Sequence, residues 1–314
     1  MQKTSAYQLL VKTFQRLSRF SHLTSIASWD MFTMMPPGGS AARGEALAEM
    51  SVLQHQILTD KKVGDLLAAA AGEDLNDVEQ ANLREMTRHY QQATLLPESL
   101  VEAKSLTGSR CEHAWRTQRP ANDWLGFSAN LKEVVKLSRE EARLRAEAKG
   151  CTPYDALLDI FEPDMTSARL DVLFGDMKSW LPGLLANVVE KQAQRSFVPP
   201  QGPFPTATQR ELGLEAMKML GFDFNGGRLD VSAHPFCGGV PEDVRITTRY
   251  DEDELLSALF GVIHETGHAR YEQNLPRNWI DQPIALARST AIHESQSLFF
   301  EMQLGRSERS EERR

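Results

Sequence analysis

Apolar positions recur at spacings of three and four along residues 5 to 150, with few β-branched clusters and with breaks at proline or glycine, so this stretch predicts a series of amphipathic helices. The first carries Tyr7, Leu10, Val11, Phe14 and Leu17 on one face. Pro36-Pro37-Gly38-Gly39 is a clear break, after which Ser40 can cap a helix running to about Leu58. Asn76 or Asp77 can start another through Tyr90, Pro97 suits the first turn of the next, and Pro120 marks a further junction. Leu131 to Lys149 reads as a helix with a solvated charged face. Four prolines between Phe197 and Pro205 exclude a helix there and predict an extended linker or groove-lining loop. A helix is then expected from about Thr208 to Leu220, ending at Gly221.

Only Phe222 to Tyr250 has strand character. Val244, Ile246 and Thr248 alternate with Arg245, Thr247 and Arg249, the period of a half-buried strand, so a small sheet is expected. Helical spacing resumes with Leu255, Leu256, Leu259, Phe260, Val262 and Ile263 and leads directly into His264-Glu265-Thr266-Gly267-His268. Helical residues four apart share a face, so the two imidazoles can converge on one cation. Glu265 follows the first histidine and can take a proton from metal-bound water. H-E-x-x-H arises by chance in roughly 2% of chains of this composition, so the neighbouring sequence has to carry part of the argument. Gly267 weakens the helix but admits a close neighbour, either another backbone or a substrate.

A catalytic zinc takes three protein ligands and leaves a position for water. Asn274 stands where a metzincin has its third histidine, so that pattern fails. Two residues compete instead, His293 and Glu294, at the start of a later helix reached through the turn-rich stretch Pro276 to Pro283. Consecutive helical residues point about 100° apart, so only one can face the site, and Glu294 is favoured.

Several blocks occur in order: Trp29-Asp30 with Met35-Pro36-Pro37-Gly38-Gly39, Tyr154 to Asp159 with Glu162-Pro163, Gly227-Arg228-Leu229-Asp230, His234-Pro235-Phe236, Asp243 to Tyr250, H-E-x-x-H, and His293-Glu294-Ser295-Gln296. Together they resemble the M32 metallocarboxypeptidases, also called thermostable or Taq-type carboxypeptidases. The resemblance implies a mainly α, multi-helix, gluzincin-like metallopeptidase with a deep groove and a small antiparallel sheet beside the metal-binding helix. It implies a divalent metal on His264, His268 and Glu294, zinc with cobalt as a possible substitute, and Glu265 as general base or acid. His234, Asp243, Arg245 and Thr247 are implied to line the substrate site. Substrates would be peptides with a free C-terminus, cleaved with broad specificity, by an enzyme that is usually a homodimer.

Elementary chemistry leaves some of those roles open. Arg245 can grip a carboxylate or pair with Asp243 two residues away; His234 can contact substrate or cap a turn. Trp29 and Asp30 read as core and junction residues. Full-length family members are longer and carry a G-x-x-Q-D-x-H-W block further on, which does not occur here. The substrate-carboxylate arginines are expected largely in that region. The organisation expected is one peptidase domain over 1–304, C-terminally incomplete, with a helical part at about 1–195, a catalytic part at about 196–304, and a charged tail at 305–314.

Composition narrows the context. With 41% hydrophobic residues the chain can bury a substantial core. A net charge of −8, with basic residues interleaved among acidic ones, argues against a nucleic-acid surface. No apolar run of about eighteen residues supports a membrane span. Cys111, Cys151 and Cys237 are too scattered for a disulfide framework, so buried thiols and a cytoplasmic setting are expected.

Overall fold

The computed structural model describes residues 4–307 except 195, 197 and 199. Ala6–Thr33 forms α1, which opens with a capping box: Gln8 N–H donates to the Ser5 hydroxyl and Ser5 N–H to the Gln8 side chain. It is followed by α2 (Ser40–Thr59), α3 (Lys61–Ala70), α4 (Asp77–Thr94), α5 (Glu98–Gln118) and α6 (Trp124–Lys149). Asn76 caps α4 as expected, in a capping box with Glu79. Ser40 does not cap α2: Pro37–Gly39 already forms a turn of 3-10 helix, so Ser40 has helical dihedrals and its hydroxyl cannot reach back. Pro97 sits one residue before α5 in extended conformation, and α6 ends on Gly150 at φ +67.

α7 (Pro153–Phe161) and α8 (Ser167–Ala193) follow, then α9 (Thr206–Met219) and the strands β1 (Gly227–Val231), β2 (Cys237–Val240) and β3 (Asp243–Thr248). The chain closes with α10 (Leu255–Gln273) and α11 (Thr290–Leu298), the latter running on as π-helix over Phe299–Gly305. No residue of α8 is buried; Phe174, Trp180, Leu184, Leu185 and Val189 all face outward. The charged run at 305–314 is described only to Ser307, and the rest lies outside the described residues. Among the described residues no helix is long and apolar enough to cross a membrane.

The sheet is mixed rather than antiparallel as expected. Its order is β1-β3-β2, with β1 parallel to β3 and β2 antiparallel to it. The chain reverses after β1 and again at Pro241-Glu242, so the third strand runs in the direction of the first. Inserting β3 between the other two makes one pair parallel.

Among the described residues two hydrophobic cores stand out. Tyr7, Leu10, Phe14 and Leu17 of α1 pack with Val63, Leu67 and Ala70 of α3 and Leu83 and Met86 of α4. Met217, Phe222, Leu229, Val244, Ile246, Val262 and Ala269 form the second, which fixes α10 against α9 and the sheet. Fully buried Asn82 joins the two halves. Its amide donates to Tyr7 Oη at 3.1 Å and Gln282 Oε1 at 3.2 Å, and its oxygen accepts from Ile284 N–H at 3.2 Å. The turns between α10 and α11 are thereby tied to α1 and α4. Of the three cysteines, Cys151 is exposed at the α6–α7 junction rather than buried, and none forms a disulfide.

Candidate active site

α10 presents His264 and His268 one turn apart, with ring centroids 5.1 Å from each other. After α10 the chain reverses through short 3-10 turns at Arg277–Trp279 and Pro283–Ala285, and α11 returns along it. The start of α11 is anchored by Glu162, whose carboxylate accepts from the Ser289 hydroxyl at 2.7 Å and the Ala291 N–H at 2.9 Å. The two helices then touch at Gly267. A β-carbon there would lie 2.5 Å from Ser297 Cα and 2.7 Å from the Gln296 carbonyl oxygen. Glycine is required by this close approach.

That contact sets Glu294 opposite the imidazoles. Its Oε1 lies 3.7 Å from His264 Nε2 and its Oε2 3.2 Å from His268 Nε2, and donor atoms of the three residues fall within 4.8 Å of one another. Two imidazole nitrogens and a carboxylate converging in this way fit a divalent metal. His293 turns away from the convergence point: its Nδ1 meets His268 Nδ1 at 2.6 Å and its Nε2 meets Glu272 Oε1 at 2.8 Å. The His264 Nδ1 lies 2.9 Å from Glu301 Oε2, and Arg306 holds the other oxygen of Glu301.

A cavity of about 490 Å³ opens beside these groups, lined among others by His234, Phe236, Cys237, Glu265, His268 and His293. Glu265 is almost fully buried and makes no side-chain hydrogen bond among the described residues, so burial pushes its carboxyl up to about 7; His264 opposes the shift and Glu294 adds to it. A carboxyl titrating there can both accept and return a proton near neutrality. Burial, with His293 and His264 close by, pushes His268 down to about 4, which keeps its ring neutral as a donor must be. Burial also pushes the Cys237 thiol well above its ordinary range, leaving it protonated.

The other expected site residues separate. His234 is exposed on the cavity rim. Asp243, Arg245 and Thr247 are not among the residues that line this cavity. The guanidinium of Arg245 is spent on Asp243, with Nε and Nη2 bonds of 2.9 and 2.6 Å, and lies over the buried Trp29 ring at 4.6 Å. Arg228 and Asp230 make the same bidentate pair on β1, in register beside it. Thr247 is fully buried and acts as a latch: its hydroxyl accepts from Phe236 N–H at 3.0 Å and from the Ser232 hydroxyl at 2.7 Å, holding the His234-Pro235-Phe236 segment.

Glu272 and Glu301 escaped sequence reasoning, as did the anchoring role of Glu162. Glu272 is four residues after His268, on the face that already carries His264, and that spacing was the available signal. Glu301 required knowledge of the π-helix, and Glu162 is distant in sequence.

Comparison with known proteins agrees with this geometry. The chain is 37% identical over 320 residues to thermostable carboxypeptidase 1 of Thermus thermophilus, an alignment covering 98% of this chain and 62% of that protein. To carboxypeptidase 1 of Bacillus subtilis it is 34% identical, over 93% of this chain and 58% of that one. Among solved structures, metallocarboxypeptidase 1 of Trypanosoma cruzi superposes with a TM-score of 0.86 at 49% identity, covering 96% of this chain and 61% of the other. The chain therefore spans about three fifths of the length of these relatives. The family profile for carboxypeptidase Taq (M32) metallopeptidase matches residues 9–312, and the chain belongs to that family.

Proposed function

We propose that this chain carries the catalytic centre of a metal-dependent carboxypeptidase that hydrolyses the C-terminal bond of peptides with broad specificity. The observation that carries the reading is the convergence of His264, His268 and Glu294 beside a buried Glu265 in an M32 chain. The three convergent residues are the proposed ligands, zinc the proposed ion, and cobalt a substitute. A bound zinc would supply Lewis-acid polarisation of the scissile carbonyl and lower the pKa of a water towards about 7. Glu265 takes the proton from the attacking water and delivers it to the departing amine. His234, on the rim, is the proposed substrate contact.

Residues 1–304 are read as one peptidase domain, helical to about 195 and catalytic from about 196, joined at Asn82 and Gln282. A homodimer working in the cytoplasm completes the proposal; three unpaired cysteines accord with a reducing compartment. One observation favours a second reading, a chain that holds metal but turns over poorly. No lysine or arginine lines the cavity among the described residues, although a free C-terminal carboxylate calls for a cation.

The test is hydrolysis of an N-blocked dipeptide with a free C-terminus, with and without chelator, beside its C-terminal amide. Chelator-sensitive cleavage of the free acid alone supports the carboxypeptidase. Cleavage of both substrates would point to an endopeptidase or oligopeptidase. Zinc binding without cleavage would establish the second reading.

A further inference from the structure

Both imidazoles of α10 have one nitrogen towards Glu294 and the other engaged from behind, and the identity of the rear partner fixes where each proton sits. For His264 the rear partner is the Glu301 carboxylate, 2.9 Å from Nδ1. An ionised carboxylate only accepts, so His264 donates through Nδ1 and, in the neutral ring, Nε2 keeps its lone pair. Arg306 donates to Glu301 at 2.6 Å and holds it in place.

For His268 the rear partner is a second imidazole, His293 Nδ1 at 2.6 Å, so one ring must donate and the other accept. The direction is set further back. His293 Nε2 lies 2.8 Å from Glu272 Oε1, an acceptor, so His293 donates there and its Nδ1 carries the lone pair. His268 must then donate through Nδ1, which leaves its Nε2 bare and 3.2 Å from Glu294 Oε2. The reverse order would set the His293 lone pair against the Glu272 carboxylate at 2.8 Å, whereas this order sets the His268 lone pair against Glu294, which is farther off at 3.2 Å and more exposed, so that solvent screens the repulsion. Tyr271 packs on the His293 ring with centroids 4.7 Å apart and restricts its rotation.

We propose that Glu272 and His293 form a hydrogen-bond relay that fixes His268 as the Nδ1–H tautomer, matched by Glu301 at His264, and that His293 is a positioning residue rather than a metal ligand. The relay turns two bare Nε2 atoms towards Glu294, and its use rests on the metal-centre reading above. A free neutral imidazole favours the Nε2–H form, which has no lone pair to offer at that atom. Outer partners of this kind orient ligands and change metal affinity by about 10- to 100-fold.

The first measurement needs no metal. Long-range ¹H–¹⁵N spectra of the metal-free chain, labelled at histidine, should show a protonated Nδ1 and a bare Nε2 at both His264 and His268. Finding His268 as Nε2–H, donating to Glu294, would overturn the proposal. The second is zinc affinity by chelator competition. Glu272→Gln and His293→Leu should each lower it about 10- to 100-fold. His293→Asn keeps an acceptor near the Nδ1 position and should recover part of the loss. Affinities within twofold of the parent in both Glu272→Gln and His293→Leu would refute the relay. So would loss of all binding in His293→Leu with binding retained in Glu294→Gln, since His293 would then be a ligand. If His293→Leu does not fold, Glu272→Gln decides alone. A parent chain that binds no zinc would defeat the functional reading, while the tautomer measurement would still decide the relay.

Discussion

Gly267 lies against the backbone of Ser297 with no room for a methyl group, since a β-carbon at 267 would fall 2.5 Å from the Ser297 Cα. The obstacle is main chain, which cannot rotate aside. Gly267→Ala is expected to push α11 outward, costing about 1–3 kcal/mol as overpacking does and carrying Glu294 away from the imidazoles. Urea denaturation should show the loss. Zinc titration should show weakened binding, and parent-like affinity in a folded variant would mean that the contact does not position Glu294.

Glu265→Gln retains shape and burial but removes the proton acceptor. Turnover is expected to fall by about 10²–10⁴-fold, the usual contribution of a positioned base, with zinc affinity little changed. Steady-state kinetics beside calorimetric metal titration separates the two effects. Substantial activity in the variant would assign proton transfer to another group.

Much of this centre is legible in sequence because its rules are local. The four-residue spacing of His264 and His268 needs only helical geometry, and a single choice between neighbours leads to Glu294. The Arg245–Asp243 pair was also foreseeable, since two residues apart on a strand they share a face. What could not be read depends on contacts between distant segments. Thr247 has the alternation of an exposed position, yet it is fully buried because the segment from Ser232 to Phe236 folds over it. The parallel pairing of β1 with β3 follows from strand order, which alternation does not encode. Glu162 stands in one of the blocks that carry the family resemblance, but its anchoring of α11 follows only from the fold that brings the end of α7 to that helix.

Asn82 offers a test of how the two cores are joined. Asn82→Ala strips partners from the Tyr7 hydroxyl, the Gln282 side chain and the Ile284 N–H, in a site with no exposure. Each buried polar group left unsatisfied costs about 1–3 kcal/mol, so a loss of several kcal/mol is expected. Chemical denaturation should show a lower midpoint with an unchanged slope. An unchanged midpoint would mean that other contacts carry the junction.

Asp159 gives acid sensitivity a definite sign. Burial alone would raise its pKa, but hydrogen bonds from Lys149, from Asp164 N–H at 3.0 Å and from Arg88 at 2.9 Å outweigh burial and hold it well below the usual carboxylate range. Its folded pKa is therefore depressed, so its contribution is complete above the unfolded value near 3.9 and is lost as pH falls below it. Melting temperatures measured from pH 6 down to pH 2 should fall more steeply for the parent than for Asp159→Asn, chiefly below about pH 4, and the variant should be less stable at neutrality. Parallel curves would remove Asp159 as a source of the acid loss.

The position of Glu294 on a different helix from the two histidines has a topological consequence. An ion held by all three would close the segment from His268 to Glu294 into a ring, as a covalent cross-link does. Closing a loop of this length removes unfolded-state entropy on the order of 3 kcal/mol in the chain-entropy account of disulfides. The metal would then serve as a reversible staple as well as a reagent, acting in parallel with the turns at Arg277–Trp279 and Pro283–Ala285 that link the two helices along the chain.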